Sequence, residues 1–174
     1  MNEMNDSSGN YKYYGKYRGT VFNNIDLENR GRIQAIVPDV SGLMPTSWAL
    51  PCLPIGGKQS GVYVVPQIGS GVWIEFEQGD SDYPIWTGCF WGSAAEVPAL
   101  ALAGNPASPS IVMQTALQNA IVISDMPPPT GGIMLKSGLS TIMVGTDGIK
   151  IIAPKIEING VTIVNQGALT VLLN

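Results

Sequence analysis

The stretch from Gly131 to Asn174, GGIMLKSGLSTIMVGTDGIKIIAPKIEINGVTIVNQGALTVLLN, constrains the fold of this chain more than any other. Apolar residues alternate along it in pairs: Ile133 with Leu135, Ile142 with Val144, Ile149 with Ile151, Ile156 with Ile158, Val161 with Ile163, and Leu169 with Val171. Lys136, Lys150, Glu157, Asn159 and Thr162 stand between or beside them. Successive side chains of a strand point to opposite faces, so each run has one oily and one wetter face. Gly, Asn, Asp or Pro ends every run, as at Ser137-Gly138, Gly145 to Gly148, Ala153-Pro154 and Asn159-Gly160.

Strands this short cannot bury their oily face within so small a segment, because too little area is removed from water to offset the ordering entropy. Two solutions are open. The runs pack on a neighbouring domain, or several identical chains wind together so that each inward isoleucine meets its copies on an axis. The winding solution also removes most free sheet edges and is the preferred expectation.

At 174 residues the chain has room for one or two small domains. Charged residues are only 13%, glycine and proline are plentiful and histidine is absent, which suits an all-β protein with tight turns that hides surface in an assembly. A net charge of −4 without a basic run argues against duplex nucleic acid, which needs clustered Lys and Arg. No apolar stretch approaches the roughly 20 residues of a membrane helix. MNEMNDSSGN has no apolar core, so no signal peptide is expected and assembly in the cytoplasm is. Cys52 and Cys89 are expected as buried, reduced thiols in strands, a disulfide being the lesser option.

In chain order, residues 1–14 read as a flexible arm with an aromatic cluster at Tyr11, Tyr13, Tyr14 and Tyr17, packed on the first strand or turned toward a partner. Residues 15–92 read as five strands of a small closed barrel. The strands are Gly15 to Asn24; Gly31 to Asp39, with Ile33, Ala35 and Val37 on one face; Ser47 to Ile55; Gly71 to Asp80, with Val72, Ile74 and Phe76 alternating against Trp73, Glu75 and Glu77; and Pro84 to Gly92. Pro51 and Pro54 make the third an edge or bulged strand, since proline cannot donate to a ladder. Residues 93–110 form a linker with a helical turn at Ala99 to Ala103, and residues 111–174 hold the remaining strands, beginning at Ile111 to Thr115 and Ala120 to Asp125.

The ordered set Gly19, Val21, Asn23, Gly31 to Ile33, Val37 to Asp39, Ser47 to Ala49, Pro51, Cys52, Pro54, Pro66, Gly69 to Ile74, Phe76, Gly79, Asp80, Pro84, Trp86, Gly88 and Trp91 resembles the OB domain of phage baseplate assembly protein V. It is also similar to VgrG-type spikes of type VI secretion and related contractile injection systems. The runs IVMQT, AIVISDMPPPTGGIMLKS, TIMVG and GIKIIAPKIEING look like the start of those families' triple-stranded β-helix. The resemblance implies an all-β homotrimer: three OB barrels form a collar, and three C-terminal segments intertwine into a needle. It implies a baseplate hub protein above the collar, an indirect link to the tail tube, and a target membrane met during puncture.

The long phage relatives insert a lysozyme domain between barrel and needle, and Ser93 to Ser110 is too short for one. Some phage spikes end in a histidine-ligated iron, which a chain without histidine cannot build. Leu169, Val171, Leu172 and Leu173 are therefore read as the contact for a separate PAAR-type tip protein, or else as filling of the needle's last turn. No cofactor is expected. The carboxylate pairs Asp80 with Asp82 and Glu75 with Glu77 lie in a turn and on a solvated face, not across a sugar cleft. Gly56-Gly57-Lys58 lacks the remaining residues of a phosphate loop. Trp48, Trp73, Trp86 and Trp91 are read as barrel packing or collar contacts rather than as a base-stacking platform, which would need a basic groove.

The expected protein is a non-enzymatic central spike of a phage tail baseplate or contractile injection particle. Its trimer core is Ile133, Leu135, Ile142, Val144, Ile149, Ile151, Ile156, Ile158, Val161 and Ile163. The alternative is a free OB module for single-stranded nucleic acid or glycan with a β-rich oligomerisation tail.

Overall fold

The structure is a computed structural model and describes residues 3–5, 11–127 and 131–159, the first three by their backbone. The chain divides into two compact units, Met1–Glu96 and Val97–Asn174.

The first unit contains β1 (Glu3–Asn5), β2 (Tyr11–Tyr13), β3 (Tyr17–Asn23), β4 (Gln34–Ile36), α1 (Pro38–Ser41), β5 (Leu50–Pro51), β6 (Gly56–Gly57), β7 (Ser60–Gly61), β8 (Gly71–Phe76) and β9 (Pro84–Phe90). Five of these strands form one sheet in the order β4-β3-β8-β9-β5. Its two ends meet, because Ile33 at the entry to β4 bridges Ala49 at the entry to β5, with Ala49 N–H donating to Ile33 O at 2.7 Å. Pairing the outer strands in this way leaves a closed interior. Val21, Ile33, Ala35, Val37, Ala49, Val72, Ile74, Phe76 and Trp86 fill it, with Tyr13, Tyr17, Val40 and Val65 packed around them. The alternation expected at Ile33/Ala35/Val37 and Val72/Ile74/Phe76 is the alternation found.

Several details differ from the sequence expectation. The second strand stops at Ile36 because Pro38, unable to donate to a ladder, takes the first position of α1, a single helical turn that ends at Gly42 with φ 61°. The third shrinks to Leu50–Pro51, an edge strand parallel to β9: Pro51 and Pro54 have no N–H to give, and the ladder passes to Cys52 N–H, which bonds Trp86 O at 2.9 Å. The arm over residues 1–14 carries a strand, β2, paired with β1. Tyr13 accounts for it: its ring meets Tyr17 at 6.1 Å and Phe76 at 5.9 Å, so the arm is tied to the barrel by aromatic packing. Cys52 and Cys89 are both free and both exposed, not buried as expected; Cys52 lies just past β5, and Cys89 stands next to the end of β9, beyond the bulge at which the β8–β9 register shifts.

The loop from β3 to β4 is held by a buried ion pair. The Asp26 carboxylate accepts the backbone N–H groups of Glu28, Arg30 and Arg32 and the Arg32 guanidinium at 2.6 Å. Arg32 lies over the Trp48 ring at 5.4 Å, and Trp86 Nε1–H donates to Gly31 O at 3.0 Å. The Arg32 guanidinium, aided by the three N–H groups, holds the Asp26 carboxyl well below the ordinary carboxylate range.

The second unit holds α2 (Ala99–Leu102), the helical turn expected there, and β10 (Ile111–Gln114), β11 (Ala120–Ser124), β12 (Gly132–Ser137), β13 (Ser140–Gly145) and β14 (Gly148–Ile152). These five strands form an antiparallel meander in sequence order. Each of these strands pairs with its neighbour in sequence. Tight turns account for that local pairing: Gly138-Leu139 and Thr146-Asp147 each join adjacent strands in two residues, which fixes the partner locally.

Candidate functional site: an uncovered apolar sheet face

The meander's registers carry alternation along each strand into rows across the sheet. One row is Ile111, Ile123, Ile133, Val144 and Ile149; the next is Met113, Ile121, Leu135, Ile142 and Ile151. All ten side chains share one face, because the rows are two residues apart on every strand. No polar residue interrupts either row. The opposite face mixes Val112, Val122, Met134 and Met143 with Lys150, and Ala120 and Ile152 with Gln114, Lys136 and Thr141. There α2 lies against β10, Leu100 N–H donating to Gln114 Oε1 at 3.3 Å.

The ten row residues remain between 39% and 69% exposed, and Ala120 is the one buried hydrophobic of this unit among the described residues. The sheet thus has an oily face that the described residues of its own unit leave open. A groove of about 750 Å³ runs along the second row, floored by Met113, Ile121, Leu135, Ile142 and Ile151 and reached by Ile156 from beyond β14. A contiguous apolar patch of this extent, unlike scattered surface leucines, marks a surface meant to be covered.

Of the residues expected in a shared core, Ile133, Leu135, Ile142, Val144, Ile149 and Ile151 come together in the two rows. Ile156 and Ile158 lie past the last strand and belong to neither row. Val161 and Ile163, like the expected tip contacts Leu169, Val171, Leu172 and Leu173, fall outside the described residues. Ile111, Met113, Ile121 and Ile123 complete the rows and were not anticipated as core, although IVMQ and AIVIS show the same alternation.

Among the described residues no three His, Cys, Asp or Glu side chains gather where a metal ion could bind. Asp80 accepts the Asp82 N–H at 3.0 Å in a turn, and Glu75 pairs with Lys16 at 2.6 Å on the barrel surface. No helix among the described residues is long and apolar enough to cross a membrane.

A closed OB-type barrel followed by a sheet without an interior defines an all-β structural protein built to assemble through its C-terminal unit. Residues 17–91 match the type VI secretion system/phage-baseplate injector OB domain, and residues 110–170 match the phage baseplate V C-terminal trimerisation domain. The chain belongs to this phage baseplate V family, a family of structural baseplate proteins, and forms a homotrimer. It is a component of a phage-baseplate or type VI-like injector. No curated protein sequence matches it.

Proposed function

We propose that the chain is the central spike of its injector, joining a hub at the end of the tail tube to a membrane-penetrating tip. The observation that carries this reading is the pair of unbroken apolar rows on a sheet without a core. The stripe is two residues wide along the strands and five strands long across them. With strands about 4.8 Å apart it is roughly 20 Å long and only about 7 Å broad. Three such stripes close around an axis that runs along the rows, with the strands lying across it. The ladder then runs lengthwise and the side chains form a narrow dry interior. Covering each half-exposed Ile, Leu or Val contributes about 1 kcal/mol, part of the roughly 1.5–3 kcal/mol of full burial, and the contribution recurs in all three copies.

Such a rod gains stiffness from its hydrogen-bond ladder and needs no active site: sheath contraction supplies the force, and a narrow rigid body transmits it to the membrane. Ile156, Ile158, Val161 and Ile163 continue the winding toward the tip. Leu169, Val171, Leu172 and Leu173 meet a separate PAAR-type cap. Residues 1–14 act as an arm, 15–92 as the collar, 93–110 as the linker and 111–174 as the needle. Light scattering on the full chain should give three times the chain mass, stable in detergent at room temperature. In the parent particle, Ile142→Asp should remove the density below the hub in electron micrographs and abolish membrane permeabilisation. Normal tips and normal permeabilisation in that variant would refute the spike reading.

A further inference from the structure

The barrel carries a second unpartnered surface, on the outer face of its sheet. Arg18 of β3 sits opposite Trp73 of β8, and its guanidinium carbon lies 5.3 Å from the Trp73 ring centroid and 5.0 Å from that of Phe90. The two rings are 5.0 Å apart, forming a platform under the cation. Gly71 makes room for it: a Cβ there would stand 2.8 Å from the Phe90 ring. The other arginines of the unit are spoken for, Arg32 by Asp26 and Glu28 and Arg30 by Glu28, and Lys16 is held by Glu75. Among the described residues Arg18 has no ion pair, yet it is the cation whose plane is fixed by two aromatic faces. Stacking orients a guanidinium and leaves its N–H edge free for a carboxylate.

The complementary group lies on the same barrel. The turn from β8 to β9 carries Glu77, Asp80 and Asp82, none in an ion pair among the described residues, with Lys12 beside Glu77 and Asp80 in a shallow cleft. Within one protomer the Lys16–Glu75 pair stands between this turn and Arg18, since Trp73 and Glu75 follow one another along β8 and Glu77 opens the turn just past its end. A closed trimer uses two different patches per protomer, one received by the next copy and one receiving the copy before. We infer that Arg18, on its Trp73–Phe90 platform, receives the acidic turn Glu77 to Asp82 of the neighbouring copy, closing the three barrels into a ring. This contact rests on the trimer and is separate from the C-terminal sheet. It fixes the angle between barrels, as complementary charges at an interface do.

The test uses the full-length trimer carrying Arg18→Lys, refolded together from two isotopically labelled, denatured pools so that the copies mix, and treated with a carbodiimide, which joins a lysine amine to a carboxylate in contact with it. The expected product links the introduced lysine to the peptide containing residues 77–82, with the two halves from different pools. The Lys16–Glu75 product within one chain shows that the barrel is folded. In parallel, Arg18→Glu should lower the melting temperature of the barrel while the mass stays trimeric, and adding Glu77→Lys and Asp80→Lys should restore it. A trimer that yields the Lys16–Glu75 product but no inter-chain link to residues 77–82 overturns the contact alone. An unchanged melting temperature for Arg18→Glu does the same. A wild-type protein that is monomeric overturns both the trimer and the contact.

Discussion

The barrel and the C-terminal sheet are made of the same material, short alternating strands joined by tight turns, yet only one of them has an inside. In the barrel, Ile33 and Ala49 bridge the two ends of the sheet, and nine residues disappear from solvent. In the meander, β10 and β14 stay apart as the outer strands among the described residues, and ten apolar residues of equal quality remain half exposed. Alternation therefore supplies a face, but only closure supplies a core. Where a chain cannot close on itself, copies must close it, and the stability of that part depends on the concentration of protomers.

This contrast can be broken in order of expected effect. Ile151→Asp places three carboxylates in the shared interior, where an unpaired charge is strongly disfavoured; the trimer should be lost, and light scattering should report a monomer whose barrel still melts cooperatively. Ile74→Ala should do the reverse, costing the barrel about 2–5 kcal/mol by opening a cavity in a packed site, with the mass still trimeric. Asp26→Asn removes the clasp on the β3–β4 loop. Because the folded carboxyl is held below its ordinary range, the stability it contributes is complete above about pH 4, near the pKa of a free aspartate, and drains away as the pH falls further. The variant should melt below the wild type at pH 7, and the gap should narrow in acid; a constant gap down to pH 2 would count against the clasp. Lys150→Glu changes the residue beside Ile151 but on the opposite face. It breaks one exposed pair with Asp147, worth about 0–1 kcal/mol, and should leave the trimer intact.

Much of this was legible in the residues. Val72, Ile74 and Phe76 announce their inward face, and Ile133, Leu135, Ile142 and Val144 announce theirs, because a period of two survives any rearrangement of partners. What alternation does not encode is the partner. Whether β12 pairs with β13 of its own chain or of another depends on Gly138-Leu139, a two-residue turn that decides pairing without altering the pattern. The closure at Ile33 and Ala49 and the clasp from Asp26 to Arg32 were hidden for a related reason. Both depend on where loops lead, and neither leaves a periodic signal. Cys52 and Cys89 were misjudged because strand residues were equated with buried ones: Cys52 falls just past the short β5, and Cys89 stands near the exposed end of β9, beyond its bulge. Arg18 was missed since its meaning lies in Trp73 and Phe90, more than fifty positions away in sequence.

Amide hydrogen exchange, comparing the wild-type trimer with the Ile151→Asp monomer, addresses the dependence of the C-terminal sheet on its copies most directly. In the trimer, β11, β12 and β13 should exchange as slowly as β3 and β8. In the monomer they should exchange orders of magnitude faster while β3 and β8 remain protected. Equal protection of β11 to β13 in both would show that the sheet is stable by itself and contradict the account.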